Sequence, residues 1–350
     1  MRPNRWPIAL FLLLAVASVA SAAEPVPPID PAFQANLRIG RGINLGNALD
    51  APSEGEWGLT LQPEYFDKIK EAGFQSVRIP IRWATHTGPA PEFVVDPAFF
   101  ARVDWAIDQA LSRGLVAIIN AHHDDDLCKE PARHESRLQA TWRQVATRYK
   151  DRPVGLDFEL LNEPNGALTD EAWQALFPKL LAVVRESNPT RPVIIGPGHW
   201  NNVDNLKTLT LPASDRMLIA TFHYYSPFHF THQGASWVEG SGAWKGETWT
   251  NTPAQREALA RDFAKADQWS KANGRPIFLG EFGAYSAADM PSRAAWTSAI
   301  AREAERLGFS WSYWEFASGF GAYDKDAGLW RGPMKDALVP AKPSPRTPAP

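Results

Sequence analysis

Short apolar segments alternate with longer amphipathic segments along most of the chain. The apolar segments are typical of parallel strands buried on both faces, and the amphipathic segments predict the helices that connect them. Eight strands are predicted, at residues 42–45, 76–79, 115–120, 155–161, 193–195, 218–223, 277–280 and 309–313. Helices are predicted at 63–72, 97–112, 136–149, 170–186, 254–271 and 291–306, with a short, poorly helical fifth connection near 201–206 and a weak last helix at 333–338.

Eight strand–helix units without a dinucleotide-binding glycine motif favour a closed (β/α)₈ TIM barrel over an open doubly wound sheet. A single barrel accounts for the predicted α/β catalytic domain at residues 24–340. The insertion at 224–252, after the sixth strand, is the longest, and long loops in compact domains are usually functional.

The two ends of the chain differ from the barrel in composition. A basic head, an apolar run at 8–20 and the small residues Ala20, Ser21 and Ala22 are typical of a secretory signal peptide, predicted at residues 1–23 with cleavage after Ala22 or Ala23. A retained N-terminal anchor is the alternative. Residues 341–350 are rich in proline and are predicted to be a disordered tail. We therefore expect export to the periplasm or beyond, with no membrane contact after cleavage.

Charge and cysteine content narrow the classes of function. The formal net charge is −3, without the basic excess that a nucleic-acid or anionic membrane surface requires. Cys128 is the only cysteine, so an intrachain disulfide is excluded. Its acidic neighbours at 124–126 disfavour the thiolate form, which argues against a nucleophilic role. We expect a monomer.

Two glutamates lie at predicted strand ends. Glu163 follows the fourth strand and precedes Pro164, which lacks the N–H group that would continue the strand. Glu281 follows the seventh strand. The carboxyl ends of barrel strands form one face, so the fold can bring the two carboxylates together. Such a pair is what a glycosidase requires, although each residue taken alone is also compatible with a solvated loop carboxylate.

Other polar and aromatic residues lie at the same predicted ends, namely Asn47, Arg78, Arg82, His122, His123, Asn162, Trp200, His223, Tyr225, Trp314 and Glu315. Alternatives remain for some of them. Arg78 can form an ion pair at the rim of the barrel. His122, His123 and an aspartate can hold a metal in a metal-dependent barrel hydrolase, or belong to a charged loop. A non-catalytic sugar-binding barrel is a third class.

Seven segments carry a family resemblance: RGINLGN at 41–47, VRIP at 77–80, INAHH at 119–123, LNEP at 161–164, FHYY at 222–225, LGEFG at 279–283 and WSYWEF at 311–316. Together they resemble the cellulase-type glycoside hydrolase family 5, a family of retaining barrel enzymes. The resemblance implies that Glu163 is the acid/base and Glu281 the nucleophile, without a metal or other cofactor.

The resemblance also implies roles for the surrounding residues. Asn162 is expected to hold the 2-hydroxyl of the sugar in subsite −1, His122 to contact its other hydroxyls, and Trp314 to form the floor beneath it. Arg78 and Tyr225 are expected to hold Glu281, and His223 to lie near Glu163. Asn47 is a further expected substrate contact.

The chemistry adds two expectations. A retaining enzyme needs its carboxyl groups about 5 Å apart. Arg78 and Tyr225 should lower the pKa of Glu281, whereas Glu163 must have a raised pKa to begin as an acid. The predicted activity is that of an endo-β-1,4-glucanase on cellulose or related β-glucans. Mannan, xyloglucan and mixed-linkage glucan remain open as substrates.

Overall fold

The computed structural model describes residue 1 and residues 30–341. The predicted signal peptide and the predicted tail therefore lie outside the described residues, apart from Met1 and Ala341. No helix in the described part of the chain is both long and apolar enough to span a membrane.

Eight parallel strands form a closed barrel in chain order, and β8 pairs with β1. This confirms the predicted (β/α)₈ barrel. The strands are β1 (Arg41–Asn44), β2 (Ser76–Ile79), β3 (Val116–Asn120), β4 (Leu156–Glu159), β5 (Val193–Ile195), β6 (Leu218–Tyr224), β7 (Ile277–Phe282) and β8 (Ser310–Tyr313). A small hairpin of β9 (Tyr323–Asp324) and β10 (Leu329–Trp330), which the sequence pattern did not predict, follows the barrel.

Helices surround the barrel and pack on its outer face. Their bounds are α1 (Pro31–Ile39), α2 (Pro63–Ala72), α3 (Pro97–Ser112), α4 (Asp125–Lys129), α5 (Pro131–Tyr149), α6 (Asp170–Arg185), α7 (Gly198–Asn201), α8 (Phe228–Thr231), α9 (Pro253–Asn273), α10 (Met290–Arg306) and α11 (Gly332–Leu338), with 3₁₀ turns at Trp83–His86, Val203–Thr208 and Ser241–Trp244. The fifth connection is short, as predicted, and consists of α7 and a 3₁₀ turn.

Helix α1 was not predicted, and it closes the amino-terminal end of the barrel. Asp30 accepts the N–H of Ala32, and Pro31 occupies the first turn, where its missing N–H costs nothing. The apolar side chains of α1 pack with those inside the barrel, namely Ala32, Ala35 and Ile39 with Val116, Ile118, Ile194, Ile219 and Phe278. Largely apolar packing therefore closes this end of the barrel, which leaves the carboxyl-terminal end for a site.

Two strand boundaries differ from the prediction in a way that matters for the site. Strand β4 ends at Glu159 rather than at residue 161, although the N–H of Leu160 still donates to Ile194. Strand β7 continues to Phe282, so Glu281 lies within the strand rather than after it.

A one-residue register shift between β6 and β7 turns Glu281 towards the barrel axis. Phe222 pairs with Leu279, but His223 pairs with Glu281, so Gly280 is the extra residue. Strict alternation would have placed Gly280 and Glu281 on opposite faces of the strand. Bulges of this kind redirect side chains near active sites.

Candidate active site

A cleft with a volume of about 1380 Å³ lies at the carboxyl-terminal end of the barrel. The predicted site residues that line it are Asn47, His122, Asn162, Glu163, His223, Tyr225, Glu281 and Trp314. Arg78, the remaining predicted residue, is fully buried beneath them. The structure therefore brings together every residue to which the resemblance gave a role. Of the other polar residues at the strand ends, Arg82 instead donates to Asp125, and buried Glu315 accepts the N–H groups of Ala317, Ser318 and Phe320.

Glu163 and Glu281 face each other across the floor of this cleft. A carboxylate oxygen of Glu163 lies within 4.8 Å of one of Glu281, and His223 lies between the two residues. This upper bound is shorter than the about 6.5–9.5 Å of inverting enzymes, which must fit a water molecule between acid and base, and it is compatible with the about 5–5.5 Å of retaining glycosidases.

Arg78 anchors Glu281 from below. Its Nη1 donates to Oε1 of Glu281 at 2.7 Å and to Oδ1 of Asn44 at 2.8 Å. Its Nη2 donates to Oδ1 of Asn162 at 2.5 Å, which turns the amide NH₂ of Asn162 away from the guanidinium. The expected ion pair of Arg78 is thus present, and it faces the proposed nucleophile rather than the rim.

Glu281 also accepts a hydrogen bond at its second oxygen, from the hydroxyl of Tyr225 at 2.9 Å. Burial raises the pKa of Glu281 above its ordinary value, and the Arg78 guanidinium acts in the opposite direction. The expectation that the pKa of this carboxyl is lowered was therefore wrong, because the cost of removing the carboxylate from water exceeds the stabilisation by its partners.

Glu163 has fewer partners that favour its charged form. Burial raises its pKa to about 8, with Glu159 adding to the effect and Arg78 opposing it. Its Oε1 lies 2.7 Å from Nδ1 of His223. Glu163 therefore holds a proton at neutral pH, and its pKa is raised as the sequence analysis expected.

His223 is neutral, because burial lowers its pKa to about 4. The amide NH₂ of Asn201 lies 3.3 Å from Nε2 of His223, so Nε2 is the acceptor and Nδ1 carries the proton. Nδ1–H then donates to Oε1 of Glu163. This arrangement leaves Oε2 of Glu163 as the oxygen that holds the transferable proton.

Trp314 forms part of the cleft wall beside Glu281. Its ring stacks on the imidazole of His122, with 5.4 Å between ring centres and 3° between planes. Two motif glycines make room for it. A Cβ at Gly46 would lie 2.7 Å from the Trp314 ring, and a Cβ at Gly283 would lie 2.0 Å from the Trp314 carbonyl oxygen. Alanine fits neither position without moving the tryptophan.

Asn47 reaches the cleft from the loop after β1. It has a φ of 66°, a conformation that asparagine tolerates better than most residues. Its N–H and that of Ala48 donate to the carboxylate of Asp50 at 3.0 and 2.8 Å.

Several contributors to the site were not predicted. They are Asn44, Asp50, Asn120, Glu159 and Asn201, all buried. A signal for three of them was present, because Asn44, Asn120 and Glu159 are polar residues within otherwise apolar strands, where such a side chain needs a partner. Asp50 and Asn201 lie in connecting segments and carry no comparable signal.

Exposed aromatic rings line the same cleft as the two glutamates. They are Trp57, Trp200, Phe228 and Trp237. The 224–252 insertion contributes Phe228 and Trp237 to this cleft. Flat aromatic faces of this kind pack against the C–H groups of sugar rings.

A possible metal-ligand set exists beside the two glutamates. Ligand atoms of Asp50, His122 and His123 lie within 4.8 Å of one another. Burial lowers the pKa of both histidines, to about 4 for His123, so both rings are neutral and able to bind a cation. The Asp50 carboxylate, however, already accepts two backbone N–H groups, and Nδ1 of His122 contacts the amide of Asn120.

Two facing glutamates at the carboxyl-terminal end of a closed parallel barrel are the arrangement of the barrel glycoside hydrolases. The family model for cellulase, glycosyl hydrolase family 5, matches residues 42–319, and the chain belongs to this family.

Relatives with known names agree with this assignment. Endoglucanase H of Acetivibrio thermocellus is 39% identical over 302 residues, which cover 86% of this chain and 32% of that protein. The chain thus spans about a third of the length of that curated relative.

Two solved structures resemble the whole barrel. The endoglucanase Cel5A of Thermotoga maritima is 48% identical with a TM-score of 0.87, covering 89% of this chain and 100% of that one. It has also been solved with cellobiose and with mannotriose. The cellulose synthase subunit Z of Clostridioides difficile is 38% identical with a TM-score of 0.84, covering 86% and 99%.

Proposed function

We propose that this protein is a retaining endo-β-1,4-glucanase that cleaves cellulose or related β-glucans by double displacement. The observation that carries the proposal is the separation of Glu163 and Glu281, within 4.8 Å, with unequal surroundings. Glu281 has a guanidinium and a phenol as hydrogen-bond donors, and Glu163 has a raised pKa. One residue is thus suited to attack and the other to proton transfer.

In the first step, a carboxylate oxygen of Glu281 attacks the anomeric carbon of the sugar in subsite −1. The bond to the leaving glycosidic oxygen breaks, and Oε2 of Glu163 gives its proton to that oxygen. Arg78 and Tyr225 hold the attacking carboxylate in place, which reduces the entropic part of the barrier.

In the second step, Glu163 is a carboxylate and takes a proton from water. The water oxygen bonds to the anomeric carbon and displaces Glu281, which restores both carboxyl groups and retains the configuration. The pKa of Glu163 falls after the first step because the neighbouring negative charge of Glu281 is consumed in the ester. The same group therefore serves as acid and then as base.

The remaining residues hold the sugar in this proposal. Asn162 donates its amide NH₂ to the 2-hydroxyl, and His122 contacts other hydroxyls of the same ring. Trp314 forms the floor of subsite −1, and Asn47 makes a further contact. The endo mode of cleavage is supported by the size of the cleft, about 1380 Å³, and by the rings of Trp57 and Trp200 that line it in addition to the two glutamates.

Mannan is a second candidate substrate, since the Thermotoga maritima relative was solved with mannotriose as well as cellobiose. Product analysis on carboxymethylcellulose, barley β-glucan, xyloglucan and mannan, run side by side, tests the substrate. Release of short cello-oligosaccharides from the first two supports the proposal. Turnover of mannan alone contradicts it.

The metal-dependent alternative has one observation in its favour, the cluster of Asp50, His122 and His123. Incubation with EDTA followed by assay in metal-free buffer separates the two mechanisms. Unchanged turnover supports the glutamate mechanism, and loss of turnover that zinc restores would favour the metal.

We further propose that the enzyme acts as an exported monomer. The sequence at residues 1–23 supports export. Fractionation of cells that express the full chain, with mass measurement of the mature N-terminus, tests cleavage after Ala22 or Ala23, and light scattering tests the monomer.

A further inference from the structure

Glu159 is a third carboxylate of the site and has no contact with the cleft. It lies at the end of β4, four residues before Glu163, and is fully buried. Its two oxygens accept from Nε of Arg78 at 2.6 Å and from Nη2 of Arg78 at 3.0 Å. Its Oε2 also lies 3.4 Å from the amide NH₂ of Asn120. Nothing in the proposed chemistry uses this residue directly.

The paired contact with Glu159 determines how Arg78 meets Glu281. A guanidinium has five N–H donors in a fixed plane. Glu159 takes the edge formed by Nε and Nη2, so the other N–H groups point to Asn44, Glu281 and Asn162, and every donor has an acceptor. Glu281 receives one N–H instead of the bidentate pair that arginine and carboxylate usually form. Its other oxygen stays on the side of Tyr225 and the cleft.

Glu159 also balances charge. Arg78 is a buried cation beside both reacting carboxyls, and Glu281 alone would neutralise it. The second anion leaves the buried group of Arg78, Glu159 and Glu281 with a net negative charge. That charge disfavours ionisation of Glu163. It also favours the positive charge that develops on the sugar in the transition state.

We propose that Glu159 is a positioning residue that acts through Arg78, fixing the single N–H that Arg78 offers to Glu281 and placing a second carboxylate against the same guanidinium. The inference rests on the proposed function, because it assumes that Glu163 is the acid and Glu281 the nucleophile.

Other titratable groups face the same buried region, and the test must be insensitive to them. They are Asp50 after β1, His122 and His123 after β3, Glu163 after β4, His223 and Tyr225 on and after β6, and Glu281 on β7. The pKa of Asp50 is about 6 and that of both His123 and His223 about 4. These three groups titrate below pH 7, whereas Glu315 and Asp157 have pKa values of about 7 and are unchanged in the Glu159 variants. The shift of the alkaline limb between wild type and the Glu159 variants, rather than its absolute position, therefore reports on Glu163.

The experiment compares Glu159→Gln, Glu159→Asp and wild type on barley β-glucan between pH 5 and pH 10, with circular dichroism as the folding control. Glu159→Gln removes the charge, so the alkaline limb of kcat/KM should move to lower pH by about half a unit to one unit. Glu159→Asp keeps the charge but shortens the side chain. It should leave the limb in place and lower kcat more than it raises KM.

Asp157→Asn is the matched control, since Asp157 is a buried carboxyl two residues earlier on β4. Its carboxyl interacts electrostatically with Arg38 and Arg191, and neither arginine contacts Glu163 or Glu281. This variant should keep the wild-type profile. An unmoved limb in a folded, active Glu159→Gln variant would overturn the inference.

If Glu159→Gln does not fold, the kinetic constants of Glu159→Asp test the inference alone. A raised KM with a wild-type kcat in that variant would contradict the inference. The two proposals can fail separately. If Glu281→Ala retained its turnover, the proposed function would be wrong. That result does not depend on where the alkaline limb of kcat/KM lies in the Glu159 variants.

Discussion

His223 donates its Nδ1–H to Oε1 of Glu163 over 2.7 Å, and Asn201 sets the tautomer that makes this donation possible. The imidazole stays neutral because burial lowers its pKa to about 4. It therefore orients the proposed acid without adding a positive charge that would remove the proton from Glu163. Burial of Glu163 has the dominant effect on that proton, with a pKa of about 8.

The first prediction concerns the alkaline limb of the pH profile. Activity on a glucan polymer should fall as pH rises through about 8, since Glu163 must be protonated to assist the departing sugar. In Glu163→Gln this limb should disappear, and kcat/KM should drop by about 10²- to 10⁴-fold on polymer. Aryl cellobiosides with good leaving groups need no acid, so the rate of the first step on these substrates should fall much less in Glu163→Gln. Equal losses on both substrates would contradict the acid role.

The second prediction concerns Glu281. Glu281→Ala should reduce turnover by about 10⁴-fold or more, because the proposed covalent intermediate forms on this carboxylate. Azide or formate should restore part of the activity by entering the space left by the carboxylate, and the product should have inverted configuration, as polarimetry or NMR can show. Glu239→Ala, at an exposed position of the 224–252 insertion, serves as control. Rescue with retained configuration would reject the nucleophile.

The third prediction concerns Gly46. An alanine Cβ there would lie 2.7 Å from the Trp314 ring, so the ring must shift. Gly46→Ala should lower kcat/KM by about ten- to a hundredfold, the scale expected when a site group moves by about 1 Å. Gly242→Ala is a suitable control, since a Cβ at that position meets no atom within 4 Å. Wild-type activity together with an unchanged tryptophan fluorescence spectrum would show that Trp314 tolerates the change.

The fourth prediction concerns stability and Asp157, whose carboxyl lies inside the barrel. Burial raises its pKa to about 7, and its Oδ1 has no hydrogen-bond partner within residues 30–341. The folded state therefore holds a proton that the unfolded state releases near pH 4. This contribution to stability is present below that pH and is lost as pH rises through about 7.

Asp157→Asn removes this titration. The variant should gain about 2 to 4 kcal/mol in unfolding free energy relative to wild type between pH 5 and pH 8.5, measured by urea denaturation at both values. Other titrating groups are common to the two proteins and cancel in the difference. A difference that does not change with pH would mean that Asp157 is not protonated in the folded state.

Much of the fold follows from local pattern. The strands at 76–79 and 193–195 and the helices at 63–72 and 97–112 have the predicted bounds. They are short apolar runs, or amphipathic runs that begin at proline, and local chemistry determines both. Helix α1 was not predicted because its apolar face packs against the amino-terminal end of the barrel. That end forms only when the strands close.

The candidate site was predictable where strand ends carry polar residues within a recognisable motif. Glu163, Glu281, Arg78 and Tyr225 were found this way, and their mutual contacts are as expected. The direction of the pKa shift of Glu281 was not predictable, because it depends on how deeply the carboxyl is buried. Asp50 and Asn201 were missed because nothing local distinguishes them from other loop residues.

The order of strands and helices, the family motifs and the identity of the two glutamates were determined by the sequence itself, since each depends on residue type and spacing. Tertiary structure alone decided which way Glu281 points, because the register shift at Gly280 arises from pairing between β6 and β7. It also decided that Glu159 shares Arg78 with Glu281. Arg78, Glu159 and Glu281 are distant in sequence and become neighbours only when the barrel closes. The net charge around the site therefore depends on the tertiary structure.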